Sequence, residues 1–282
     1  MAQTDQNRIH RAVSKDGTEI TGSIHGQGPP LVLFHGGLED GDTGWKNLVP
    51  YLSDHFTCYL PSMRGRGLSA DNSDLRPERH SEDIAAFVDS IGGPVGVMGE
   101  STGAFYSLGA VQRGAKVSAV ALYESPVFEF WEEDGEDTTK FKNGVAGMAK
   151  AAAEGKLVDA VQAFCSGVYN DDEMAQLAQM NAFEPRAQFV PKLLQVLEQA
   201  PQTEGPNPND PAELTKVTTP SLLLYGSRTT VPHAKSTKYL AEKIPNARLK
   251  EIPGAGHAAP STAPEQLANE LIQFFEENLR KA

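Results

Sequence analysis

Short apolar runs and helical stripes alternate along this chain. Two alternating segments, "RIHRAV" and "EITGSIH", flank Lys15-Asp16-Gly17, and an Asp-Gly pair supplies the positive φ that a tight hairpin turn needs. "LVLFHGG" follows, a continuous apolar run ending in glycine, which suits a strand buried on both faces of a parallel sheet. In "GWKNLVPYLSD" the residues Trp45, Leu48, Val49 and Leu52 recur at i, i+3, i+4 and i+7, so the spacing predicts a helix, with the strand "FTCYLP" after it. The order continues with a helix "SEDIAAFVDSIG", a strand "VGVMG", a helix "AFYSLGAV" and a strand "VSAVALY". Strand and helix in alternation predict an α/β fold, a doubly wound and mostly parallel sheet with helices on both faces.

The alternation stops at Pro126. From there to Leu214 the chain reads as several helices with acidic or Pro-rich joints, "EEDGED" and "PQTEGPNPND". "SLLLYG", a helix around "STKYLAEKI", "ARLKEIPG" and "PEQLANELIQFFEENL" then restore the earlier order, and the last helix carries Leu267, Leu271, Phe274, Phe275 and Leu279 on one stripe. The expected organisation is a core domain of residues 1–125 and 215–282, with residues 126–214 inserted as a helical cap.

Composition narrows the function classes. The net charge is -12, with Lys and Arg scattered, so the electrostatic footprint of a nucleic-acid or anionic-membrane binder is lacking. No apolar run approaches the roughly 18 residues of a membrane span, and the polar start "MAQTDQNRIHR" does not resemble a secretory signal, so a cytoplasmic protein is expected. Cys58 and Cys165 form no C-x-x-C pair and read as buried thiols. None of the seven histidines sits in H-E-x-x-H or a similar spacing. The expectation is therefore no metal, no cofactor and a small-molecule partner, with the oligomeric state unreadable.

The chemistry concentrates in "VGVMGESTGAF". Here Gly99-Glu100-Ser101-Thr102-Gly103 matches G-x-S-x-G between an apolar strand and a helix. Such a turn holds the serine in a strained conformation, lifts its hydroxyl above the sheet, and sets it at a helix N-terminus that favours developing negative charge. A serine hydroxyl needs a base within reach. His257, in "IPGAGHAAP" between the last strand and the last helix, has the right placement. Two N–H groups are needed for an oxyanion: Thr102 would supply one, and Gly37 the other, with Gly36 as the adjacent alternative. His35 reads as a structural loop residue rather than a second base.

The strand order, "HGG", "RGRGLS" (64 to 69), "GESTG", the cap position and "GAGH" resemble the α/β-hydrolase superfamily over nearly the whole chain. The resemblance implies a serine hydrolase whose acid lies between serine and histidine in sequence. It also exposes a departure: the acid usually comes in G-x-x-D after the strand matching "SLLLYG", and Thr229 stands at that position. A second departure, Ser62 where many members carry an aspartate, falls at a structural position. A carboxylate at the end of another strand, Glu124 in "LYESP", is the candidate, because in an open α/β sheet that end faces the same crevice as Ser101. Certain haloalkane dehalogenases and the zearalenone-type lactonases resemble this arrangement. Glu100, inside the turn, is a distant second.

The cap begins "PVFEFWEED", and Phe128, Phe130 and Trp131 either line an apolar pocket over the serine or fill the cap's own core. Arg228 and His233 lie near the empty acid position without an assignable role. The expected function is a cofactor-free serine hydrolase of a carboxylic ester or lactone, with Ser101, His257 and Glu124 as its triad. Rivals are a carbon-carbon bond hydrolase using the same residues, and a ligand-binding receptor or pseudoenzyme on the same scaffold.

Overall fold

A computed structural model describes residues 8–279; most of the polar start, residues 1–7, lies outside the described residues. Eight strands form one sheet: β1 (Ile9–Val13), β2 (Glu19–Gly26), β3 (Pro30–Phe34), β4 (Thr57–Pro61), β5 (Val95–Glu100), β6 (Val117–Tyr123), β7 (Ser221–Gly226) and β8 (Arg248–Ile252). Their spatial order is β1-β2-β4-β3-β5-β6-β7-β8, antiparallel at β1/β2 and β2/β4 and parallel from β4 onward. The hairpin turn is as the sequence implies, with Gly17 at φ 88° and Ser14 N–H donating to Thr18 O at 2.8 Å. Parallel pairing puts the C-terminal ends of β3, β5, β6, β7 and β8 on one edge, where the loops carrying His35 to Gly37, Ser101, Glu124, Thr229 and His257 begin.

Each sheet face buries its own core. One packs Leu31, Leu33, Met98, Tyr123 and Leu224 against Trp45, Leu48, Leu52 and the stripe Leu267, Leu271, Phe274 and Phe275. The other packs Val32, Phe34, Val97, Val120 and Leu223 against Ile84, Phe87, Val88, Leu108 and Leu240. The helix expected over "GWKNLVPYLSD" is split into Gly41–Trp45 and Val49–Leu52. Pro50 accounts for the break, because it lacks an N–H and its ring would clash with the carbonyl four residues back. The helix at Pro77–Ile91 starts four residues earlier than its apolar stripe suggested, with proline at its first position.

Between β6 and β7 lie the helices Glu136–Ala153, Leu157–Cys165, Asp171–Gln179, Phe183–Arg186 and Val190–Gln199. Met148, Val161, Cys165, Leu177, Phe189 and Leu193 make a third core that also takes in Leu38 and Ala258 from loops of the sheet's C-terminal edge. This layer therefore sits over the edge where the candidate residues converge. Cys58 and Cys165 are both free and buried, and burial pushes both thiols up to about 12. Among the described residues no helix is long and apolar enough to cross a membrane.

Candidate active site

Ser101, immediately after β5, has φ 53° and ψ -121°, a backbone region that costs a non-glycine residue roughly 1–3 kcal/mol. The flanking glycines are required sterically. A Cβ on Gly99 would lie 2.6 Å from Ala104 Cα, and one on Gly103 would lie 2.3 Å from the carbonyl oxygen of Phe34. Thr102 opens the helix Thr102–Gln112, so its N–H has no intrahelical acceptor and is free for a ligand.

The loop after β3 supplies the facing N–H. His35 Nδ1 donates to Gly36 O at 2.8 Å, while its Nε2 accepts from Met63 N–H at 3.0 Å, so the tautomer is defined. Burial and the Arg66 cation push His35 down to about 4 and keep it neutral. Because the peptide is planar and trans, fixing Gly36 C=O also fixes Gly37 N–H on the opposite side of the same plane. Arg66 secures the next peptide by donating to Gly37 O, and to Glu39 O at 3.1 Å. The structural role read for His35 thus acquires a definite content.

His257 and Glu124 meet directly: Nδ1 of the imidazole lies 2.6 Å from Oε2 of the fully buried carboxylate. Glu124 is one of four described non-glycine residues with positive φ, at 49°, which turns its side chain from the end of β6 toward the loop after β8. Its Oε1 accepts from Gly226 N–H at 2.8 Å and its Oε2 also accepts from the Thr229 hydroxyl at 2.8 Å. Thr229, at the position where the resemblance leads one to expect an aspartate, thus donates to the Glu124 carboxylate. Burial opposes charge on His257, but the hydrogen bond and attraction of Glu124 outweigh it, with smaller contributions from Glu100 and Glu173, and the imidazole pKa is raised.

Two supports of His257 are not legible in the local sequence. Glu173, 3% exposed and on the inserted helix Asp171–Gln179, accepts Ala258 N–H at 2.7 Å, and the Tyr123 hydroxyl donates to Gly256 O at 2.5 Å. Asn170 and Glu173 form a capping box at the start of that helix, and the second use of Glu173 depends on a contact with a distant loop. His233, without an assignable role from sequence, stacks its ring on His257 at 3.8 Å between centroids and 14° between planes, with Nδ1 2.9 Å from the Thr230 hydroxyl. Burial and the neighbouring His257 hold its pKa well below the ordinary value. Arg228 pairs at the surface with Asp172.

Ser101, Thr102, Gly36, Gly37, Glu100, His233 and His257 line one cavity of about 80 Å³. Its remaining wall is largely apolar and comes mostly from the segment between β6 and β7, including Phe128, Trp131, Phe141, Phe164, Val168 and Leu193, with Leu38 and Glu39 from the loop after β3. Of the three aromatics named from the sequence, Phe128 and Trp131 are on this wall. Phe130 is not: it packs edge-on against Tyr239, 5.6 Å between centroids, because the short 3-10 turn Phe128–Trp131 sends neighbouring side chains in different directions. No hydrogen bond joins the Ser101 hydroxyl to His257 among the described residues, a looseness common before substrate binds. Glu124, His233 and His257 offer ligand atoms within 4.8 Å of one another, but Glu124 already holds His257 Nδ1, so this cluster is organised around a proton.

Residues 31–270 match the alpha/beta hydrolase family. The chain belongs to that family. It is 25% identical over 280 residues to the 2-hydroxy-6-oxo-6-(2'-aminophenyl)hexa-2,4-dienoic acid hydrolase of Metapseudomonas resinovorans, covering 95% of this chain and 91% of that one. It is 28% identical to the pimeloyl-[acyl-carrier protein] methyl ester esterase of Nitrosomonas europaea, covering 88% and 97%. Among solved structures, an alpha/beta hydrolase from Sphaerobacter thermophilus is similar at a TM-score of 0.74 and 30% identity, covering 94% of this chain and all of that one. The doubly wound, mostly parallel sheet expected from the sequence is the fold of this alpha/beta hydrolase.

Proposed function

We propose that this alpha/beta hydrolase is a cofactor-free serine hydrolase that cleaves a small carboxylic ester or lactone through an acyl-enzyme. The observation that carries the reading is the buried 2.6 Å contact between His257 Nδ1 and Glu124, beside a serine held at a helix N-terminus in the same cavity. Ser101 Oγ attacks the carbonyl carbon as His257 Nε2 takes its proton. The N–H groups of Thr102 and Gly37 hold the oxyanion, which is the largest electrostatic contribution such a site offers. His257 then returns the proton to the leaving alkoxide, and water repeats the sequence to release the acid. Glu124 fixes the imidazole tautomer and stabilises the imidazolium formed on the way. Residues 126–214 act as the cap, excluding bulk water and shaping an apolar pocket.

The similarity to a dienoic acid hydrolase favours a second reading, carbon-carbon bond cleavage by the same residues. A substrate panel of aryl esters, lactones and a vinylogous diketone separates the possibilities. Turnover of esters or lactones supports the first reading, and turnover of the diketone alone transfers the assignment to carbon-carbon cleavage. Tight binding with no turnover would make the protein a receptor on a hydrolase scaffold.

A further inference from the structure

Glu100 is the residue of G-x-S-x-G to which the serine-hydrolase mechanism gives no task. Its side chain lines the cavity, the residue is only 5% exposed, and its carboxyl makes no hydrogen bond or ion pair among the described residues. Room for it is built in: a Cβ on Gly36 would lie 2.8 Å from Glu100 Oε2, so the carboxyl rests against bare backbone one residue before Gly37. The carboxyl is therefore adjacent in sequence to the proposed nucleophile and adjacent in space to the loop of the proposed oxyanion donor.

The neighbouring charges are already committed. Arg186, from the helix Phe183–Arg186, pairs with Glu39 in the loop after β3, and His257 pairs with Glu124 at the end of β6. Tyr123 of β6 and Tyr169, just before the helix Asp171–Gln179, also interact with it, and burial holds both phenols in their neutral form; His233, on the wall of the same cavity, is kept neutral by burial and by His257. An ionised Glu100 would lack a counter-ion and would add a third negative charge beside Glu39 and Glu124, close to where the oxyanion develops. A neutral carboxylic acid suits the site, because its O–H is a donor whose available acceptor is a bound ligand.

We propose that Glu100 is a substrate-contacting carboxylic acid, acting in its neutral form as a hydrogen-bond donor to an oxygen of the bound acyl group beside the oxyanion site. This rests on the serine-hydrolase reading and extends it. Burial first, then the charge of Glu39, push the Glu100 pKa up to about 8, with His257 and Arg186 opposing and Glu124 assisting. The donor is present at neutral pH and is lost as the pH rises through that value.

The experiment compares the wild type, Glu100→Gln and Glu100→Leu by kcat/KM on a p-nitrophenyl ester on both sides of pH 8, with phosphonate labelling of Ser101 in parallel. Wild-type kcat/KM should fall as the pH rises through about 8. Glu100→Gln, which keeps a donor that cannot ionise, should retain most neutral-pH activity and lose that fall. Glu100→Leu should lose about 2- to 10-fold at neutral pH, the worth of one neutral hydrogen bond; if it does not fold, the wild type and Glu100→Gln still decide. The same alkaline fall in Glu100→Gln overturns the proposal while Ser101 labelling leaves the hydrolase reading intact. Absence of both labelling and turnover at every pH removes both.

Discussion

Replacing Glu124 by Gln changes almost no volume and removes one charge, so the hydrogen bonds around the carboxylate determine the effect. That carboxylate accepts three, from Gly226 N–H, the Thr229 hydroxyl and His257 Nδ1. An amide has one oxygen. If that oxygen faces His257 and Thr229, the NH2 group confronts Gly226 N–H; if it faces Gly226, the NH2 group confronts His257 Nδ1 and forces the tautomer that cannot act as a base at Nε2. Both residues are buried, so the imidazolium also loses its partner charge. With charge centres about 4 Å apart and an effective dielectric near 20, that attraction is about 4 kcal/mol, or about three decades in rate at roughly 1.4 kcal/mol per decade. The tautomer penalty takes the expected loss of kcat to about three to four decades. Stopped-assay kcat on an aryl ester, with thermal melting to verify folding, measures it. A folded Glu124→Gln enzyme within about tenfold of wild type would refute the relocated acid.

The raised His257 pKa sets the acid limb: kcat/KM should decline as the pH falls through a value above 6.5, and Glu124→Gln should move that limb down. The same shift means that the stability contributed by His257 is fully present below pH 6.5 and lost as the pH rises through the raised folded-state value, which urea melts across that window would register. Thr229→Val removes one donor to the Glu124 carboxylate and should reduce kcat by about tenfold, the lower end of the roughly 1.5–3 kcal/mol that a hydrogen bond to a charged group contributes, because Gly226 and His257 still hold the carboxylate. Glu173→Ala frees Ala258 N–H and should lower kcat more than it raises KM, because it loosens the base and leaves the pocket wall in place. Gly103→Ala sets a methyl 2.3 Å from Phe34 O and should abolish phosphonate labelling together with a marked drop in melting temperature.

The residues whose chemistry is tied to their local sequence were legible. G-x-S-x-G announces itself because two glycines are sterically obligatory around a positive-φ serine, and the structure gives the distances that make them so. The contact between Glu124 and His257 was legible by subtraction: Thr229 left His257 without a partner, and Glu124 was the carboxylate at a parallel strand's end facing the same crevice. What stayed hidden depends on contacts between distant segments. Glu173 caps its own helix and Tyr123 ends β6, and only the folded chain brings both to the loop of His257. Phe128, Phe130 and Trp131 were inseparable from sequence because a 3-10 turn has no two-sided periodicity over four residues. Pro50 was visible, yet the stripe running through it concealed the break it causes.

The claim that organises the rest is that Ser101 is an activated nucleophile. Intact-mass measurement after treatment with a fluorophosphonate, followed by peptide mapping, tests it without knowledge of the natural substrate. One adduct on Ser101 is expected, absent in Ser101→Ala and formed far more slowly in His257→Ala. A folded wild-type protein that gains no mass, or one labelled equally well in Ser101→Ala, would contradict it.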